Sequence, residues 1–171
     1  MSEILTILGA LAKADVRFVV AGGVAVVLHG FPRFTADIDL VVDLERANIL
    51  KAVGALQELG YHPRAPVAAT DFAEEGTREA WIRDKGMKVF SLWSSRLPGT
   101  EVDIFAEDPF PFEAGYERAE RVTVQGLSFR IVAVADLIAM KEAAGRDKDL
   151  LDLKVLRGLL ARKKSEGPAD G

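Results

Sequence analysis

A chain of 171 residues, 49% of them hydrophobic, is long enough for one domain with a proper core, which excludes global disorder. It contains no cysteine, so there is neither a disulfide framework nor a thiolate metal site, and any metal must be held by oxygen ligands or by the two histidines. A formal charge of −4 and a pI of about 5.3 argue against a broad, non-specific grip on nucleic acid.

No apolar run reaches the roughly 18 residues that a membrane-crossing helix needs. The start, MSEILTILGALAKADV, lacks the basic residues and cleavage signature of a signal peptide. A cytoplasmic location without membrane contact is the default expectation.

In chain order, 2–13 carries Ile4, Leu5, Ile7, Leu8, Leu11 and Ala12 at helical spacing, with Ser2 as its N-cap. Residues 16–21 are apolar except for Arg17 and read as a strand buried on both faces. Gly22-Gly23 breaks it, 24–29 reads as a short helix ended by Gly30-Phe31-Pro32, and 38–42 reads as a second, β-branched strand. The clearest helix is 44–59, with Asp43 as N-cap, an apolar stripe through Leu44, Ala47, Leu50, Val53 and Leu56, and Gly60 as its stop.

The segment 61–77 says least: 62–66 reads as loop, and Thr70 or Asp71 would cap a short helix running to Glu75. Strands are expected at 87–93 and 101–105, joined by 94–100 with Pro98-Gly99. Residues 121–124 and 127–132 read as a hairpin turned at Gln125-Gly126, and 134–144 and 148–163 as two antiparallel helices. Residues 165–171 read as a disordered polar tail. The pattern is α/β (α+β): a short mixed sheet flanked by helices, with residues 1–132 as the core and 133–164 as a helical segment packed on it.

The chemistry concentrates between residues 18 and 43. Asp37 and Asp39 stand at i and i+2 of one strand, so both point to one face while Ile38 faces the core. Paired carboxylates suit a hard divalent cation. Gly22-Gly23, between a buried strand and a helix, lets backbone N–H groups approach phosphate. Asp103 is a third acid in the apolar setting Val102-Asp103-Ile104, where a lone Asp is disfavoured unless solvated, paired or liganded. If its strand neighbours that of Asp39, three carboxylates converge and need cations to neutralise them.

Other candidates read as structural. His29 and His62 lack a zinc spacing, and Ser94-Ser95 lacks a nucleophile elbow. Trp81 and Trp93 read as core or groove anchors, with base stacking an alternative for Trp93 near a strand end.

Gly22-Gly23, thirteen further residues, Asp37-Ile38-Asp39-Leu40 and a later strand carrying Asp103 together resemble the polymerase-beta-like nucleotidyltransferase superfamily. The wording GGVAVVLHGFPRFTADIDL, with Lys141 and the run 146–153, looks most like its small bacterial branch around AbiEii-type toxins. The resemblance implies a nucleotidyltransferase fold with a C-terminal helical hairpin. It implies that Gly22 and Gly23 bracket the triphosphate and that Asp37 and Asp39 bind two Mg2+ (or Mn2+) ions. Asp103 would bind one of those ions and help activate the acceptor hydroxyl.

It further implies a triphosphate contact for Lys141. Arg33 and Thr35, just before the acids, and Arg146 and Lys148, in or beside the turn after the penultimate helix, could meet phosphates or face solvent. Asp149 and Asp152 would orient Lys141 or Arg146, or face water. One departure is that a serine often stands where this chain has Gly23. The implied reaction moves a nucleoside monophosphate from an NTP to an acceptor hydroxyl on RNA (notably tRNA), a protein or a small molecule. A toxin with a cognate antitoxin is one biological setting. A non-catalytic nucleotide- or partner-binding module is the competing class.

Overall fold

The computed structural model describes residues 1–167. Helix α1 (Ser2–Lys13) precedes β1 (Phe18–Ala21), α2 (Gly22–Leu28), β2 (Asp37–Val42), α3 (Arg46–Glu58) and the two-residue β3 (His62–Pro63). Then come α4 (Glu75–Lys85), β4 (Val89–Trp93), β5 (Glu101–Phe105), α5 (Phe112–Arg118), β6 (Glu120–Val124), β7 (Leu127–Ile131), α6 (Val134–Ala144) and α7 (Leu150–Glu166). Two single 3-10 turns, Ala69–Ala73 and Asp147–Asp149, precede α4 and α7.

The strands form one mixed sheet of seven in the order β3-β4-β5-β2-β1-β7-β6. β1 pairs antiparallel with β2, β2 pairs parallel with β5, and β4 runs antiparallel to β5. The β6–β7 hairpin joins through a parallel contact between Val20 and Ile131. This is the mixed α/β architecture that the alternating patterns predict. The hairpin turn is Gln125-Gly126, with φ of 49° and 83°, the left-handed pair that a two-residue hairpin loop requires.

The core follows from strand alternation. Ile38 and Leu40 on β2, Phe90 and Leu92 on β4, and Val102 and Ile104 on β5 are fully buried on one sheet face. Phe90 stacks on Phe72 at 4.6 Å and on Trp81 at 5.8 Å, so the 3-10 turn and α4 close this face over β4. The intervening residues Asp39, Ser91, Trp93, Glu101 and Asp103 are only half-buried, because the other face opens into the site described below.

Several local expectations are corrected. Ser2 is the first residue of α1, whose cap is Met1 with no side-chain bond. Glu45, not Asp43, caps α3, accepting from the Ala47 N–H. Asp43 Oδ1 accepts from the Glu45 N–H at 3.1 Å just ahead of the helix, its Oδ2 from Arg17 at 2.5 Å, and that guanidinium also reaches Glu113 of α5 at 2.6 Å. The stretch 62–66, read as loop, contributes β3 to the sheet edge. The short helix expected to run to Glu75 is instead the 3-10 turn, with α4 starting at Glu75. Ser165 and Glu166, assigned to the tail, belong to α7, and 168–171 lie outside the described residues.

Candidate active site

Parallel pairing of β2 with β5 sets the site. Its register places Asp39 directly opposite Asp103 and Asp37 opposite Glu101. On the next strand, Ser91 of β4 stands opposite Asp103. On the other side, Ala21 stands opposite Asp39, so Gly22 enters α2 beside it. Ser91, Asp103 and Asp39 therefore form one row across three strands, with the glycine turn at its end.

Gly22 has φ of +60°, and a Cβ built on it would lie 1.9 Å from Asp39 Oδ2. The Asp39 carboxylate thus packs against bare backbone, which no other residue allows. A Cβ on Gly23 would lie 2.8 Å from Thr35 Oγ1 and 3.6 Å from the Arg33 guanidinium carbon. The Thr35 hydroxyl therefore occupies the space into which a serine at position 23 would project.

The carboxylates repel one another. Burial, then the charges of Asp103 and Asp37, push the Asp39 carboxyl up to about 6, against the pull of Arg146 and Lys141. Burial also raises Asp103; the hydrogen bond from Ser91 Oγ to its Oδ1, 2.5 Å long, opposes that, while Asp37 and Glu101 add to it. Two acids held against their own charge would be relieved by a cation placed between them.

Cations are supplied by α6, the turn after it and the loop before β2. Lys141 of α6 is 4% exposed, and its Nζ donates at 2.9 Å to Asp149 and lies 2.9 Å from Asp152. Arg146 binds Asp149 from outside at 2.7 Å, and Arg33 binds Asp152. Although burial works against it, Arg146 and Lys141 hold the Asp149 carboxyl below the usual range. Asp149 and Asp152 therefore orient the cations and do not face water. Through Arg33 and Asp152, the loop before β2 is fastened to α7.

Removing one partner of such a buried cluster leaves uncompensated charge. Lys141→Met is expected to lower unfolding free energy by about 3 kcal/mol, measured by urea titration at pH 7. A loss under about 1 kcal/mol would show that Arg33 and Arg146 alone suffice for the two aspartates.

One cleft of about 150 Å3 is lined by Gly22, Gly23, Arg33, Thr35, Asp37, Asp39, Asp103, Lys141, Arg146, Lys148 and Asp149. The three acids and the seven phosphate-contact candidates named from the sequence all line this one hollow. It opens into a more apolar one of about 300 Å3 between the sheet and α6, walled by Val89, Phe105, Leu137 and Met140 with Lys88 at its side. Sequence reasoning missed Ser91 and Lys88. The signal for Ser91 was one polar residue in the alternation Val89-Phe90-Ser91-Leu92-Trp93. His29 is structural, its Nε2 2.9 Å from the Val132 carbonyl.

The donor set is all oxygen and suits a hard divalent cation. Among the described residues no three acids or imidazoles form a ready-made metal cage. Phosphate oxygens and water would complete the coordination, as is usual for magnesium. Among the described residues no helix is long and apolar enough to cross a membrane.

Over residues 2–161 the sequence matches the family described as "Nucleotidyltransferase of unknown function (DUF6036)". A comparison with curated proteins gives no match. Among solved structures, the fold is similar to ANT(2")-Ia in complex with adenylyl-2"-tobramycin, with a TM-score of 0.63 at 14% identity, covering 96% of this chain and 91% of that one. It is equally similar to the lincosamide antibiotic adenylyltransferase LnuA bound to lincomycin, with a TM-score of 0.63 at 16% identity over 92% of this chain and 96% of that one.

Proposed function

We propose a nucleotidyl-transfer reaction for this chain, which belongs to the nucleotidyltransferase family DUF6036, with the cleft of Asp37, Asp39 and Asp103 as its centre. The observation that carries the reading is the meeting of three carboxylates, a glycine turn and a set of cations in one hollow. Acids repelling one another beside a phosphate-sized cradle have a use when metal ions and a triphosphate enter together.

In this reading the core, 1–132, provides acids and glycine turn, and 133–164 provides the cationic wall. Gly22, Gly23 and the Thr35 hydroxyl face the β- and γ-phosphates, with Lys141, Arg33, Arg146 and Lys148 neutralising their charge. Asp37 and Asp39 would hold two Mg2+ or Mn2+ ions, and Asp103 would share one of them. Bound there, the ions would stabilise the attacking and leaving oxygens of an in-line displacement. The acceptor oxygen bonds to the α-phosphorus as the bond to the β-phosphate oxygen breaks, and pyrophosphate leaves. The hydroxyl proton passes to Asp103, whose orientation Ser91 fixes.

We favour a small-molecule acceptor. The net charge of −4 disfavours an RNA polymer, and the two similar folds above are seen with small antibiotics or their adenylyl products. The AbiEii-like affinity, and the toxin role with a cognate antitoxin that goes with it, rest on the GGVAVVLHGFPRFTADIDL wording, Lys141 and the run 146–153.

Ligands that bind only the folded state raise its stability by mass action, about 2.7 kcal/mol at a hundredfold excess over Kd. Thermal unfolding with each NTP, with and without magnesium, is expected to show a magnesium-dependent rise for at least one NTP. Asp37→Asn/Asp39→Asn should abolish it. No rise with any NTP would instead leave a partner-binding module of the same fold.

A further inference from the structure

The open face of the sheet continues past the reacting acids. Register arranges it in a second row, one side-chain repeat from the first, or about 7 Å along the strands. In that row Asp37 stands opposite Glu101, and Trp93 stands opposite His62 of β3. Leu92 faces Val102, so the next pair along β4 and β5 is Trp93 and Glu101. This row borders a separate hollow of about 250 Å3, whose lining includes Arg64, Trp93, Leu97, Pro98, Thr100 and Glu101. Nothing in the transfer reaction described so far uses it.

The chemistry of the hollow is specific. Trp93 is half-buried and packs T-shaped with His62, ring centroids 4.3 Å apart. The Arg64 guanidinium lies over the indole, 5.2 Å from its centroid, and is ion-paired with Glu101. Planar donors and acceptors thus stand beside an aromatic ring. A hydroxylated ring matches this, with hydroxyls that accept from Arg64 and donate to Glu101 and C–H groups that pack on the apolar wall of Trp93, Leu97 and Pro98. Charge chooses among such molecules. Asp37, Asp103 and Glu101 share this face, and Glu101 already neutralises Arg64. An anionic ligand or a phosphate backbone would be repelled; a neutral or amine-bearing one would not.

We propose that this hollow holds the acceptor, a neutral or amine-bearing sugar-like ring held against Trp93 and the Arg64–Glu101 pair with one hydroxyl turned towards Asp103. The assignment rests on the nucleotidyl-transfer reading, and the bond changes are those given there. The 300 Å3 hollow walled by Leu137 and Met140, which shares Gly22, Lys141 and Arg146 with the phosphate cradle, is left to the nucleoside.

The chain has two tryptophans, so Trp81→Phe leaves Trp93 as the only indole reporter. Its emission is followed in the full chain against glucosamine, maltose, glucuronate and a short oligoribonucleotide. Saturable changes are expected with glucosamine and maltose in the roughly millimolar range. Glucuronate should bind roughly fivefold more weakly or not at all, and Glu101→Gln should weaken glucosamine binding roughly fivefold. Trp93→Ala should keep the magnesium-dependent NTP response in thermal unfolding.

The proposal is overturned by no saturable change with either sugar, or by tighter binding of glucuronate or the oligoribonucleotide. Loss of the NTP response in Trp93→Ala would also overturn it, by making the hollow the nucleotide's. If sugars bind at Trp93 while the native chain answers no NTP, the nucleotidyl-transfer reading fails and the acceptor role fails with it, leaving a sugar site.

Discussion

Asp39→Asn is expected to unfold at a higher temperature than the native chain at pH 8, while losing nucleotidyl transfer by roughly a thousandfold or more. Both effects have one cause. The Asp39 carboxylate is buried opposite Asp103 and two residues from Asp37, and its pKa is pushed up to about 6. Without cations, that charge is a cost. The displacement from 3.8 is about two pH units, each worth about 1.4 kcal/mol, so relief of up to about 3 kcal/mol is the scale to expect once Asn removes the charge.

The sign can be checked by pH. A carboxyl whose folded pKa is raised binds more protons folded than unfolded between about pH 4 and 6. The metal-free native chain should therefore gain stability as pH falls from about 7 towards 4, with Asp103 adding in the same direction. Asp39→Asn should flatten that slope. Saturating magnesium with NTP should reverse it in the native chain, because bound cations favour the carboxylate. Scanning calorimetry at pH 5 and pH 8 decides the matter. A variant less stable than the native chain at pH 8, with its magnesium response intact, would mean that the acids are not strained and Asp39 holds no metal.

The sequence carried the elements of the site better than their arrangement. Strands bearing Asp37, Asp39 and Asp103 were visible from alternation alone, because Ile38, Val102 and Ile104 are apolar and the acids between them are not. What alternation cannot give is the partner of each strand. That Asp103 sits opposite Asp39, and that Ser91 sits opposite Asp103, depends on non-local pairing between strands about 60 residues apart in sequence for the first pair. The glycine turn was legible as a turn, but its reason, an Asp39 oxygen against the Gly22 backbone, is tertiary.

The two unread helices failed for physical reasons. α4, EGTREAWIRDK, has no apolar stripe; it is held by half-buried Trp81 and Ile82 and by buried Arg78, which donates to the Phe72 carbonyl at 2.7 Å. α5 is seven residues with Gly115 inside it, and Arg17 anchors it through Glu113 and the rings of Phe112 and Tyr116. Neither signal is periodic. The misplaced cap at Asp43 is an error of boundary: α3 begins at Arg46, so Asp43 Oδ1 accepts from the Glu45 N–H ahead of the helix while Arg17 holds Oδ2.

Gly22→Ala should be the most damaging single methyl addition in the chain, and the reason can be divided experimentally. Two penalties coincide at this position. A left-handed φ of +60° costs a residue with a Cβ about 1–2 kcal/mol. The Cβ would also stand 1.9 Å from Asp39 Oδ2 and 2.7 Å from its carboxyl carbon, so the Asp39 side chain must leave the row it shares with Asp103. The first penalty is read as stability and the second as loss of the magnesium-dependent NTP response. Gly23→Ala should be milder, because its clash is with the end of the Thr35 side chain and its backbone is not left-handed. Gly54→Ala, inside α3 with open space around it, should be neutral or stabilising by up to about 1 kcal/mol. A cycle with Asp39→Ala separates the causes: without that side chain, Gly22→Ala should retain only the backbone cost, and the two substitutions should fall well short of additivity. Strict additivity in urea unfolding would mean that Asp39 does not pack on Gly22, and the placement of the carboxylate against the glycine turn would be wrong.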